Sequence, residues 1–210
     1  LILIPRLREF HNRYPDIDLV IGMNDRPVDL VGEAVDCAIR VGELQDSSLI
    51  ARRIGTFQCA TAASACYLEK YGEPKTLEDL QKNHQAIHFF SSRTGRNFDW
   101  DFVVDDLIQS VSVNGQVSVN DGDAYIDLAL QGFGLIQGPR YMLTNHFEAG
   151  TLKEVLPKWT PAPMPISAVY LQSRHLSQKV RVFVDWVAEL FASCPLLGGS
   201  ALPLDEKCAF

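Results

Sequence analysis

The sequence has no uncharged apolar run near the ~18 residues that a membrane span requires, and the opening Leu1 to Ile4 is too short for the core of a secretion signal. The chain therefore reads as soluble and cytoplasmic, with no membrane partner. Its five cysteines, Cys37, Cys59, Cys66, Cys194 and Cys208, are odd in number and include no Cys-x-x-Cys pair, which argues against a disulfide framework and a zinc site. Cys37, Cys59 and Cys66 read as small buried apolar side chains, with a redox-sensing thiol as the sharper alternative. Positive charge is also scarce. Nineteen Lys and Arg against 26 Asp and Glu leave a net charge of −7, and a chain repelled by phosphate is a poor nucleic-acid binder by itself. Neither a Gly-x-Ser-x-Gly elbow nor a phosphate-binding Gly-x-x-x-x-Gly-Lys run occurs. His84 and His88 stand four apart, but the Glu of a His-Glu-x-x-His motif is missing and Ala86, Ile87 and Phe89 favour a strand. Gly132, Gly134 and Gly138 follow a helix rather than a strand, so they read as capping and turning glycines, not as a dinucleotide fingerprint. No catalytic residue, metal ligand or cofactor is expected.

What is present points to a packed α/β chain. Of 210 residues, 47% are hydrophobic and 21% charged, a balance that lets a chain of this size bury roughly 70% of its unfolded surface. The length lies between one large domain and two small lobes. Leu3, Ile4, Leu7, Phe10 and Tyr14 recur every three to four residues and predict a helix over 3–14, closed by Pro15. A strand is expected at Ile17 to Met23, a helix over Pro27 to Ala34 capped by Asn24 or Asp25, and a second strand at Cys37 to Val41. Residues 49–63 carry few turn signals and read as one long strand, followed by short helices at Ser64 to Tyr71 and Thr76 to Gln81.

The rhythm restarts with strands at His84 to Phe90, Val111 to Val113 and Val117 to Val119. Asn120 is the expected N-cap of a helix over Asp121 to Gln131, with Gly132 just past its end. Leu135 and Ile136 form a brief strand before Pro139, which opens a helix to about Phe147. Pro157, Pro161, Pro163 and Pro165 bracket a crossing with little regular structure. A strand at Ile166 to Leu171 and an amphipathic helix from Ser177 to Ala192 precede a loose tail. This alternation predicts a largely parallel α/β order. A chain that leaves one lobe near residue 60 and returns near 167 has two crossings, the geometry of receptors that close about a cleft.

Arg40 ends an apolar strand where a sheet edge would open into that cleft. Two roles fit it: gripping a carboxylate through its fork, or a structural ion pair with Asp36, Glu33 or Glu43. Asn120 offers the same choice between a plain helix cap and a cap that also faces ligand. A helix N-terminus attracts anions, yet Asp121 and Asp123 already complement this one, which favours a neutral, polar or singly charged compound.

Several segments in register carry a resemblance: Arg13-Tyr14-Pro15-Asp16-Ile17-Asp18-Leu19, Asp29-Leu30-Val31-Gly32-Glu33-Ala34-Val35-Asp36-Cys37-Ala38-Ile39-Arg40-Val41-Gly42 and Ser48-Leu49-Ile50-Ala51-Arg52-Arg53-Ile54-Gly55. The match continues through Ala65-Cys66-Tyr67-Leu68, Val119-Asn120-Asp121, Gly132-Phe133-Gly134-Leu135-Ile136 with Pro139, and Phe183-Val184-Asp185-Trp186. Together they resemble the effector-binding domain of LysR-type transcriptional regulators over about residues 1–192. The resemblance implies two Rossmann-like lobes joined by a two-strand hinge, the type 2 periplasmic-binding-protein fold. Lobe I would comprise 1–60 and 168–195, lobe II 61–167, and a tail 196–210. The family's winged helix-turn-helix, its linker helix and the domain's first strand would lie outside this chain, and DNA would be held through them.

The resemblance places the cleft at Asn24, Arg40, Gly42, Phe90, Ser91, Asn120, Asp121, Gly138 and Pro139. It implies a small-molecule effector and a homodimer or tetramer joined through residues 3–23 and about 139–147. A transporter's periplasmic solute-binding protein is the alternative on the same fold.

Overall fold

A computed structural model describes residues 2–23, 29–42, 44, 49–172 and 177–194. A 3-10 turn at Ile4–Arg6, with Pro5 in its first turn where the missing N–H costs nothing, runs into helix α1 (Leu7–Arg13). The first strands are β1 (Cys37–Val41), β2 (Leu49–Phe57) and β3 (Cys59–Ser64), followed by helices α2 (Ala65–Tyr71) and α3 (Leu77–Asn83). Next come β4 (Ile87–Phe89), β5 (Trp100–Val104), β6 (Leu107–Val111), β7 (Val117–Val119) and α4 (Gly122–Leu130). The chain continues through β8 (Ile136–Pro139), α5 (Arg140–Glu148), β9 (Leu152–Val155), β10 (Thr160–Pro161), β11 (Met164–Leu171) and α6 (Gln178–Ala192).

The first lobe is built on β11, which lies between β1 and β2 and pairs with both antiparallel. The expected parallel order is therefore not what joins the described strands here. The apolar stripe of α6 lays Val180, Val184, Val187, Leu190 and Phe191 on this sheet, together with Phe10, Ile54, Phe57 and Ile166. Phe10 is fully buried against the rings of Tyr14, Phe183 and Trp186.

Residues 17–23 form no strand, contrary to expectation. Val20 is fully exposed and Met23 is 68% exposed. Alternating apolar residues become a strand only when a neighbouring chain takes up their main-chain groups, and none of the described strands pairs with them. In the expected helix over 27–34, residues 24–28 lie outside the described residues. What is seen is a turn in which the Asp29 carboxylate accepts from the amides of Val31 and Gly32.

The single strand expected over 49–63 is broken at Gln58 into β2 and β3. Apolar content is continuous across the break, but β2 pairs with β11 and β3 pairs with β8 and β9, so the run passes from one sheet to another. In the second lobe β3 lies between β8 and β9, and the parallel Ala86–Leu135 bridge attaches the parallel pair β4–β7 to the β8 side. The strands there run in the order β7, β4, β8, β3, β9. Ala60, Ala62, Ile87 and Ile136 on one face pack on Tyr125, Ile126 and Ala129 of α4. Ala63, Ala86, Leu135 and Val155 face a second cluster with Tyr67, Leu80, Trp100 and Phe102.

The β5–β6 hairpin and the strands β9 and β10 had no counterpart in the sequence reading. The β5–β6 hairpin turns at Asp105 and Asp106, which take φ of 50° and 62°, the left-handed pair of a tight hairpin normally supplied by Asn-Gly. The proline-bracketed crossing holds the short strand β10, and β9 precedes it.

Candidate functional site

The strand directions define one edge of the second lobe. β4, β7 and β8 run the same way, so their carboxyl ends at Phe89, Val119 and Pro139 lie together, beside the start of antiparallel β3 at Cys59. Ligands of open α/β sheets bind at such an edge.

A turn over 91–96 closes the end of β4. The Phe90 amide donates to the Val119 carbonyl at 2.8 Å, the Ser91 amide to the Arg96 carbonyl at 2.9 Å, and the Thr94 amide reaches Ser91 Oγ at 3.4 Å. Asn120 ties this turn to α4, donating from Nδ2 to Ser92 Oγ at 3.0 Å. Asp121, not Asn120, is the N-cap: its carboxylate accepts from the Ala124 amide at 2.9 Å. Both residue types cap well, and the extended conformation at Asp121 selects the later one. Gly138 pairs with Ala60 and faces the Tyr125 ring, while Pro139 pairs with Cys59 and caps α5.

The first lobe meets this edge through the two crossings. Half-buried Arg40 stands opposite Ser167 near the end of β1. Gly42 follows with φ +93°, and its amide donates to the Pro165 carbonyl at 2.8 Å. Pro165 pairs in turn with Thr56, and Met164 with Phe57. One residue past Phe57, the Gln58 carbonyl accepts from the Arg140 amide at 2.7 Å, and Tyr141 lays its ring 4.6 Å from that of Phe57. The ends of β1 and of β8 are thus joined by a short path through the paired crossings. Asn24 lies outside the described residues.

His84 and the cysteines lie away from this edge or are held within the fold. His84 is buried, faces the Tyr67 hydroxyl through Nδ1 at 3.3 Å, and burial lowers its pKa from the ordinary value. Burial pushes the Cys59 thiol up to about 12 and the Cys37 thiol up to about 11, so neither is a reactive thiolate. Cys66 is exposed rather than buried, its sulfur 3.3 Å from Ser64 Oγ. Sequence reasoning passed over Tyr125, whose hydroxyl takes the Gln137 amide at 3.1 Å and thereby occupies the main chain beside Gly138. Its one signal was an aromatic residue a turn into the helix that Asp121 opens.

Two lobes built on sheets with helices against them and joined by paired crossing strands define the type 2 periplasmic-binding-protein fold. The chain belongs to the LysR substrate binding domain family, whose model matches residues 1–192. It is 34% identical over 187 residues to the uncharacterised HTH-type transcriptional regulator YhjC of Escherichia coli, covering 89% of this chain and 62% of that one. An HTH-type transcriptional repressor of Pseudomonas aeruginosa is 35% identical over 194 residues, covering 92% and 61%. The solved structure of CrgA, a LysR-type regulator from Neisseria meningitidis, superposes with a TM-score of 0.74 at 28% identity, covering 90% of this chain and 64% of that one. The chain spans about three fifths of the length of the curated relatives it matches.

Proposed function

We propose that this chain senses a small-molecule effector held between its two lobes, and that lobe closure resets contacts between copies of a longer DNA-binding regulator. One observation carries the reading. The edge bearing Phe90, Ser91, Asn120, Asp121 and Pro139 and the edge bearing Arg40 and Gly42 flank the same paired crossing strands. Arg40 anchors an oxygen of the effector, Asn24, Ser91 and Asn120 supply hydrogen bonds, Phe90 gives an apolar wall, and Gly42 and Gly138 admit the ligand close to the main chain. Lobe I comprises 1–60 and 168–195, lobe II 61–167, and 196–210 is a tail. The effector shifts a pre-existing equilibrium by its differential affinity for the closed form, and no reaction is catalysed.

DNA is contacted by a helix-turn-helix segment of the longer protein, in the cytoplasm. Copies associate as a dimer or tetramer through residues 3–23 and 139–147, a reading supported by the exposed Leu19, Val20, Ile21 and Met23. Relatives named as HTH-type transcriptional regulators favour this over a transporter's solute receptor. Calorimetric titration of a metabolite found by thermal-shift screening tests the cleft. Arg40→Ala weakens its binding tenfold or more, about 1.4 kcal/mol, while the variant still melts as a folded domain; equal affinity in the variant removes Arg40 from the site.

A further inference from the structure

The β5–β6 hairpin has an open edge. β5 lies between β10 and β6, and among the described residues no strand lies on the far side of β6. The two-residue turn makes Val104 and Leu107 a bonded pair, so the bonds to β5 fall at Leu107, Gln109 and Val111, and the main-chain groups of Ile108 and Ser110 point outward. The same alternation holds across β5. The carbonyl of Asp101, the partner of Ser110, turns away from β6 and accepts from the Ala162 amide at 2.8 Å.

Open edges are ordinarily guarded by a proline, a charged side chain or a bulge. On the opposite side of this sheet the two-residue β10 carries Pro161, and β2, at the edge of the first sheet, carries Arg52 and Arg53. β6 has none of these between Leu107 and Val111, pairs without a register shift, and leaves Leu107 72% and Ile108 68% exposed. A groove of about 140 Å³ runs beside it, lined by Gln109, Ser110 and Val111 and by Leu77, Glu78 and Gln81 of α3. A strand laid along β6 places every second side chain over that groove.

Charge decides what fits this edge. Between Asn97 and Pro139 the chain has seven aspartates and no lysine, arginine or glutamate, so the whole net charge of −7 arises there. Asp99, Asp101, Asp105 and Asp106 stand on or beside the hairpin, whereas the other three open or lie in α4, across the second sheet. Asp99, Asp105 and Asp106 are exposed and form no ion pair among the described residues. Asp101 accepts from Ser110 Oγ. Four carboxylates on each hairpin repel a second copy laid edge to edge and attract a cationic strand.

We propose that the open edge of β6 docks an extended, cationic segment of another protein, which adds to the sheet as a further strand. Ile108 and Ser110 supply the main-chain bonds. Side chains on one face of the added strand lie over the groove against Leu77 and Leu107, and lysines or arginines on the other face toward the aspartates of the hairpin.

Fluorescence anisotropy with a labelled peptide of alternating lysine and valine tests this at about 50 mM salt. One control is the same peptide N-methylated throughout, which keeps the charge and removes every amide donor, and another replaces each lysine by glutamate. The cationic peptide binds the wild type about tenfold tighter than either control. Ser110→Pro removes the outward amide while sparing the bonds to β5, and Ile108→Lys keeps the backbone and reverses the local charge. Each weakens binding about tenfold in a chain that circular dichroism shows folded, as does the pair Asp105→Asn and Asp106→Asn, whose side chains tolerate the same left-handed turn. Equal binding of the N-methylated peptide reduces the attraction to charge alone and overturns the proposal. So does unchanged affinity in Ile108→Lys, or a cationic peptide that fails to bind while Ile108→Lys shifts sedimentation toward the monomer, which makes the edge a contact between copies.

Discussion

Asp121 holds the first turn of α4 through its carboxylate while the neighbouring Asn120 bonds to Ser92. Replacing Asp121 by Ala should therefore cost about 1 kcal/mol in chemical denaturation. Asn120→Ala, which removes an exposed side-chain bond, should stay within about 0.5 kcal/mol. Gly42 takes φ +93° in open space, so Gly42→Ala meets no clash and its penalty is the backbone alone, of order 1 kcal/mol or more by the same measurement. The histidines set an acid limit. Burial lowers the pKa of His84 and of His88 below the ordinary 6.5. In that window the unfolded chain binds more protons than the folded one, so stability is full above pH 6.5 and falls as pH drops below it. Urea midpoints between pH 7.5 and pH 5.5 should show the decline, and His84→Gln should reduce its slope. At this scale the sequence left two caps side by side, because Asn and Asp satisfy a helix start equally and only the local backbone chooses.

The β5–β6 hairpin shows why an element escapes a sequence reading. Asp105 and Asp106 occupy left-handed positions that glycine or asparagine usually marks, so the turn carried no signal of its own. Asp106→Gly should raise the thermal midpoint, because glycine takes a φ of 62° without the ~1 kcal/mol that an L side chain costs there, which exceeds the added freedom of glycine in the unfolded chain. The opposite error occurred at Ile17 to Met23, where a strong apolar pattern forms no strand because pairing depends on a neighbour. Helices were read more faithfully. The stripe of α6 and the Gly132 stop after α4, with φ 79° at that glycine, depend on residues near in sequence. The break at Gln58 was invisible for the converse reason: both halves of the run are apolar, and only the different partners of β2 and β3 divide it.

For the whole molecule, the net charge of −7 and the exposed apolar segment set the behaviour. This chain alone should leave the mobility of a DNA duplex unchanged in gel electrophoresis at 50 mM salt, since it has no positive surplus to release counterions. Ile21→Lys should shift sedimentation at micromolar concentration toward the monomer, because Ile21, half exposed, lies in the surface proposed to join copies. The sequence by itself determined the family, the helices and the polarity balance, since motifs in register and short-range periodicity are properties of neighbouring residues. Scarcity of positive charge argued against DNA contact by this chain without any coordinates. Tertiary structure alone decided which strand lies beside which, and with it the edge formed by Phe89, Val119 and Pro139, drawn from β4, β7 and β8. Residues so far apart in sequence share one edge only when sheet order brings them together, and that order depends on which main-chain groups find each other in the folded chain.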